Sequence, residues 1–171
     1  MTSGGTAAVF LERDGMLIAD SGYPHREEDL VILPGAAEAV RRLNKAGYLV
    51  IVATHQPGVG RGMFSETQMA AFNDLLVRRM AALGARIAAV YACPYSADAP
   101  LPAYRVEDHP DCKPNPGMLL RAMADKHIDP ARAFLIGLTG EDVETARRAG
   151  INGFRFDGLD LDDYVHELLG G

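Results

Sequence analysis

The sequence predicts an α/β protein of the doubly wound, three-layer Rossmann-like kind: a mainly parallel five-stranded sheet with helices on both faces. Three observations lead there. Short apolar runs rich in strand-forming residues alternate along the chain with stretches of helical periodicity, the pattern of strand–helix–strand units. The runs are almost continuously apolar, as strands buried on both sides are. A length of 171 residues suffices for one well-buried core and not for two ordinary domains, so residues 1–171 read as a single domain.

Taken in order, strands are expected over Ala7–Leu11, Leu49–Ala53, Ile87–Ala92, Ala133–Ile136 and Gly153–Phe156. A helix over Ala36–Lys45 places Ala36, Ala39, Val40 and Leu43 on one face and stops at Gly47, with basic residues in its last turn. Ser65 followed by Gln68 is a capping box, and it opens a helix whose apolar stripe is Met69, Phe72, Leu76, Met80 and Leu83. Asn115-Pro116 reads as an N-cap and first-turn proline, starting a helix that runs towards Lys126. A shorter helix opens at Gly140 and ends at Gly150, and Leu161–Leu169 forms the last. Two polar stretches, 20–31 and 95–112, interrupt this rhythm. Loops of such length in a compact domain are usually functional or disordered.

Composition narrows the function. The net charge of −6 argues against nucleic acid or an anionic membrane as partner. The chain shows no apolar run long enough to span a bilayer and no signal-peptide pattern at its start, so the cytoplasm is the expected location. In that reducing compartment Cys93 and Cys112 are thiols or metal ligands. A monomer is expected, since no interface stripe stands out.

The chemistry concentrates after the first strand. Phe10-Leu11-Glu12-Arg13-Asp14-Gly15 is an apolar strand ending in acid-x-acid-Gly. Phosphoryl transfer uses two such carboxylates, one to attack phosphorus and one to move a proton. In a doubly wound sheet the ligand sits beyond the carboxyl ends of the strands, where strand order reverses. Glu12, Asp14, Thr54, Lys113 and Leu138 all fall just after strands or in the following loops, so they are expected to meet.

Further segments extend the pattern: Gly-Tyr-Pro-His (22–25), Leu-Pro-Gly-Ala (33–36), Ala-Thr-His-Gln-Pro-Gly-Val-Gly-Arg-Gly (53–62), Lys-Pro-Asn-Pro-Gly (113–117) and Leu-Ile-Gly (135–137) followed by Glu141-Asp142. Together, and in this order, they resemble the haloacid dehalogenase superfamily phosphatases of the small, capless type. The most similar members are the D-glycero-D-manno-heptose 1,7-bisphosphate and histidinol-phosphate phosphatases. The resemblance covers nearly the whole chain. It implies a phosphorylated small metabolite, a sugar phosphate, as ligand and Mg²⁺ as cofactor.

In that family the first acid of the motif forms an acyl-phosphate and the second acts as acid and base. A threonine and a lysine hold phosphate oxygens, and an aspartate after the fourth strand completes the Mg²⁺ site. Carried over, Asp14, Thr54 and Lys113 are kept, and Arg61 is a candidate contact to a second phosphate or sugar. Four positions depart. Glu12 stands for the aspartate nucleophile, Met16 for a hydroxyl residue, His55 for an asparagine and Leu138 for the metal-binding aspartate. One methylene displaces a carboxylate by ~1.5 Å, and a misplacement near 1 Å can cost on the order of a hundredfold in rate. Leu138 offers a cation no oxygen, though Asp142, with Glu141 beside it, is an alternative source.

The expectation is therefore a phosphatase-fold protein whose hydrolysis is weak or lost, with Glu12 and Asp14 as catalytic pair and Thr54, His55, Arg61 and Lys113 as phosphate or substrate contacts. Mg²⁺, where held, falls to Glu12, Asp14 and Asp142. Two alternatives stay open: a non-catalytic phosphate-binding or scaffold protein, and a working Mg²⁺-dependent phosphatase using Glu12 with Glu141 or Asp142. Relatives also often carry a zinc clasp before the lysine. Here Cys93, His109, Asp111 and Cys112 supply zinc-binding element types at an unfamiliar spacing, the alternative being a loop packed without metal. Segments 22–25 and 95–112 are expected to shape the specificity pocket.

Overall fold

The computed structural model describes residues 4–171. Strand β1 (Thr6–Leu11) is the centre of a five-stranded sheet, in the order β3-β2-β1-β4-β5, with β2 at Leu49–His55, β3 at Ala89–Cys93, β4 at Ile128–Gly137 and β5 at Asn152–Arg155. Every neighbouring pair is parallel. The chain winds outward from β1 in one direction through β2 and β3, then in the other through β4 and β5, so strand order reverses beside β1.

Side-chain alternation along β1 sorts the core into two layers. Val9 and Leu11 join the cluster formed with helices α1 (Ala36–Lys45), α2 (Glu66–Ala82) and α5 (Leu161–Leu168). Ala8 and Phe10 face the opposite cluster, with α3 (Gly117–Asp125) and α4 (Gly140–Arg148). Leu11 lies level with Val52 of β2 and Ile136 of β4. The residues that follow these positions therefore leave the sheet along one edge.

Several elements differ from expectation in instructive ways. Strand β4 begins at Ile128 rather than Ala133, because Ile128 pairs with Thr6 and the register then shifts before Ala8 meets Ala133. The polar residues between, Asp129-Pro130-Ala131-Arg132, hide the strand from a hydrophobicity pattern. Strand β3 is displaced two residues from Ile87 at its start and reaches Cys93. Asn115 is not the cap of α3. Pro116 holds that position, and Asn115 instead donates to Asp108 and the His109 carbonyl and accepts from Arg148. Leu83 leaves the stripe of α2 and is exposed, because it ends that helix as its C-cap. The Ser65–Gln68 capping box forms as expected.

Candidate active site

The end of β1 hands the chain directly to Glu12 and then turns through Gly15, whose φ of +82° is a left-handed conformation that side chains resist. Strand β2 delivers Thr54 and His55, the loop before α3 delivers Lys113, and β4 delivers Leu138. All these segments open onto one edge of the sheet, and Glu12 and Lys113 meet there.

Lys113 is the hub. Its Nζ donates to Glu12 Oε2 at 2.5 Å and to Asp142 Oδ1 at 2.8 Å, and its side chain is 7% exposed. Burial alone would lower its pKa, but the two carboxylates outweigh that and raise it. For Asp142 burial works upward, and Lys113 with the Leu138 and Thr139 amides prevails in holding the pKa below the ordinary value. Asp142 is built into this place by two local devices. Its Oδ2 accepts from the Leu138 and Thr139 amides at 2.9 and 3.2 Å, completing a capping box with Thr139 at the start of α4. Gly137 leaves the necessary room, since a Cβ there would stand 2.2 Å from that of Asp142.

Asp14 belongs to a second group. Arg13 is fully buried and grips Asp14 through two contacts, Nε to Oδ1 at 2.7 Å and Nη2 to Oδ2 at 3.2 Å. Its remaining donors reach Asn73, Gln56 and the Pro24 carbonyl, and its guanidinium lies 4.7 Å from the Phe72 ring centroid. Gln56 Nε2 donates both to Asp14 Oδ2 and to Thr54 Oγ1, each at 3.0 Å. The network accounts for every polar atom of a buried arginine, the condition under which such a charge is tolerated. Sequence reasoning missed Arg13, Gln56 and Asn73. One signal was available for Arg13: it continues the inward row Val9–Leu11 by period two.

Glu12 and Asp14 line a cleft of about 390 Å³ with His55, Gln56 and, from the first long loop, Asp20 and Tyr23. Segment 22–25 thus contributes to its wall through Gly22 and Tyr23. The 95–112 loop lines an adjoining cleft instead, together with His55 and Lys113. His55 Nε2 is tied to the Tyr95 carbonyl at 2.7 Å. Arg61 stands outside both walls, with a guanidinium nitrogen 3.8 Å from Asp98 and its centre 5.9 Å from the Tyr23 ring. Glu141 is exposed, and of the two neighbouring acids it is Asp142 that turns inward. Met16 is buried in the core and Leu138 packs against the same cluster.

The four expected zinc ligands do not assemble. Asp111 pairs with Arg121, and His109 accepts from the Asp111 amide through Nδ1 while its ring stacks 4.2 Å from that of Tyr95. Cys93 and Cys112 do come together, with His55 as third neighbour. That is the one trio of His, Cys, Asp or Glu among the described residues whose ligand atoms all lie within 4.8 Å. Among the described residues Glu12, Asp14 and Asp142 form no such trio: Lys113 gathers Glu12 and Asp142, while Arg13 and Gln56 hold Asp14.

A parallel sheet of this winding order, with an acid pair after its central strand and a lysine reaching across from the loop before α3, defines a haloacid dehalogenase-like hydrolase. Residues 112–154 match the family model described as HAD-hydrolase-like. A HAD-like phosphatase structure from Mesorhizobium loti superposes with a TM-score of 0.84 at 34% identity, over 91% of this chain and 74% of that one. The D,D-heptose 1,7-bisphosphate phosphatase of B. bronchiseptica, solved with magnesium and phosphate, shares the fold with a TM-score of 0.82, at 24% identity over 96% of this chain and 99% of that one.

The family is narrower than the fold. The chain is 44% identical over 163 residues, 95% of its own length and 89% of the relative's, to the D-glycero-beta-D-manno-heptose-1,7-bisphosphate 7-phosphatase of Rhodopseudomonas palustris. It belongs to the D-glycero-D-manno-heptose 1,7-bisphosphate 7-phosphatase family.

Proposed function

We propose that this chain is a member of its family that accepts a phosphorylated sugar but hydrolyses it slowly or not at all. The observation that carries this reading is the 2.5 Å contact between Lys113 Nζ and Glu12 Oε2. A phosphoryl group has to place its oxygens against the lysine while a carboxylate approaches phosphorus from the other side. Here the longer carboxylate lies on the lysine itself, in the position an incoming phosphate oxygen needs.

Magnesium fits the donor set poorly. The ion demands near-octahedral oxygen coordination at close range. Leu138 supplies no side-chain oxygen, Asp142 is committed to Lys113 and to two amides, and both Asp14 oxygens are held by Arg13 and Gln56. In whatever turnover survives, Glu12 attacks phosphorus, Asp14 protonates the leaving alkoxide and then takes a proton from water, and Lys113 holds phosphate oxygens, while Thr54, expected to share that task, is fully buried and accepts from Gln56 instead. Arg61, at the rim beside Tyr23, is placed to meet a distal part of the ligand. The protein acts in this reading as a cytoplasmic monomer. Among the described residues no helix is long and apolar enough to cross a membrane.

Purified protein assayed for phosphate release from sugar phosphomonoesters, with Mg²⁺ present, tests the reading. Turnover is expected at or near background, with inorganic phosphate or a sugar phosphate raising Tm. Brisk Mg²⁺-dependent turnover that Asp14→Asn abolishes would overturn it in favour of a working phosphatase. Absence of any ligand-dependent shift removes the binding half.

A further inference from the structure

Beside the carboxylate–lysine cluster, three donors converge on one acceptor just past the end of β3. His55 Nε2, Cys112 Sγ and Cys93 Sγ lie 2.7, 3.1 and 3.8 Å from the Tyr95 carbonyl oxygen. That oxygen stands in the space a metal ion shared by the three side chains would need. The two sulfurs are free thiols 3.0 Å apart. Two thiols in contact, one reachable and one not, have a chemistry of their own.

We propose that Cys93 and Cys112 are a redox modification site, closing a reversible disulfide by exchange with a low-molecular-weight disulfide. The roles follow from exposure. Cys112 is half-buried and lines an open cleft of about 380 Å³, whereas Cys93 is fully buried. Cys112 sulfur therefore attacks the incoming disulfide, forming a mixed disulfide and breaking the small molecule's S–S bond. The departing thiolate takes up the proton that Cys112 has lost. Cys93 sulfur then attacks Cys112 sulfur, the protein disulfide forms, and the second small thiol leaves with the proton from Cys93. Two protein thiols are oxidised and one small disulfide is reduced to two thiols. A disulfide needs its sulfurs at ~2.05 Å, so closure asks for a movement of about 1 Å.

Burial pushes both thiols above the ordinary thiol range. Thiolate is then scarce at neutral pH, and exchange is slow rather than forbidden. Cys112 directly precedes Lys113. The new bond consequently fastens the loop carrying the site's lysine to the end of β3. It also links residues 19 positions apart, which constrains the unfolded chain. The proposal holds whether or not the neighbouring site turns over.

The test uses the whole chain, incubated with oxidised glutathione for hours, quenched in acid, unfolded and treated with iodoacetamide. Intact mass is expected to fall by the two thiol hydrogens with neither cysteine alkylated, and dithiothreitol should restore both. Far-UV circular dichroism should stay native and Tm should rise by several degrees. Cys93→Ser should trap one glutathione on Cys112, and Cys112→Ser should remain unmodified. The proposal is overturned if wild-type protein emerges with both cysteines alkylated, if it halts with glutathione on Cys112, or if it oxidises only after losing its native spectrum.

Discussion

The double substitution Glu12→Asp/Leu138→Asp tests the proposed weakness of hydrolysis most directly. Removing one methylene retracts the carboxylate by ~1.5 Å, so the 2.5 Å contact with Lys113 opens to about 4 Å. That distance is too long for a hydrogen bond, and the lysine is left to receive a phosphate oxygen. Leu138→Asp adds an oxygen donor on the residue whose amide binds Asp142, at a side chain that now packs beside Gly15 and against the core. Nucleophile position and metal ligand act as one unit, so their effects should be far from additive. Each single substitution is expected to gain less than about tenfold, and the pair on the order of 100-fold or more. The assay is phosphate release from a sugar phosphomonoester with and without Mg²⁺. Melting curves give a second readout: Leu138→Asp brings another anion near Asp142, so Tm should drop in chelator and recover in Mg²⁺. A double variant that folds, is stabilised by Mg²⁺ and stays silent would refute the reasoning. A parent already as fast as the double variant would refute it as well.

Other perturbations follow from the same contacts. Lys113→Met strands two largely buried carboxylates and is expected to cost about 3–5 kcal/mol, read as a fall in the urea midpoint. The pH profile should carry the same signature. Asp142 has its pKa depressed on folding, so its contribution is complete above about pH 4 and is lost as pH falls through the lower folded value. Lys113 has its pKa raised, so its contribution is complete below about pH 10 and is lost as pH climbs through the higher folded value. Stability should plateau between these limits, and Lys113→Met should blunt the acid limb and remove the alkaline contribution. Arg13→Lys keeps the charge but not the fork that serves Asp14, Asn73, Gln56 and Pro24 together. A loss of about 3 kcal/mol in urea melts is expected, and no loss would show the network to be dispensable.

Much of this was legible in the sequence because the signals were local. Helix α1 runs between the expected residues, Ala36 and Lys45, and the Ser65 cap closes on Gln68 as its spacing implies. Position after strands puts Glu12, Asp14, Thr54, Lys113 and Leu138 at one edge; Lys113 contacts Glu12 there, and its second partner is Asp142, which the sequence offered only as an alternative oxygen source. What escaped depended on partners far along the chain. Arg13 looks like a solvated residue between two acids until Asn73, 60 positions on, and Gln56, 43 positions on, close around it. The four candidate zinc ligands do not assemble as a set, for a related reason. Element type put Cys93, His109, Asp111 and Cys112 together, but Arg121, lying on α3, takes Asp111, and Tyr95 stacks on His109. Strand β4 was shortened in expectation because a hydrophobicity pattern cannot see pairing that resumes on the far side of a register shift.

The substitutions at 12 and 138 gain meaning when taken together. An acid at 138 paired with a divalent cation balances charge in this corner of the site. With leucine there, Lys113 has donors to spare beyond the one given to Asp142, and a glutamate at 12 is long enough to accept from one of them. The three nearby carboxylates, Glu12, Asp14 and Asp142, are then held by two cations from within the chain, Lys113 and Arg13. The cluster is held together without a metal, whereas three acids drawn to one point would repel each other unless a cation joined them. The same balance sets a threshold for ligands. A phosphate has to displace Glu12 from Lys113 and then meet a site left with excess negative charge, so binding energy is spent on separating an ion pair rather than on approaching a transition state. On the proposed reading catalysis is opposed twice over, by geometry at residue 12 and by charge at residue 138, and repairing either one alone leaves the other in force.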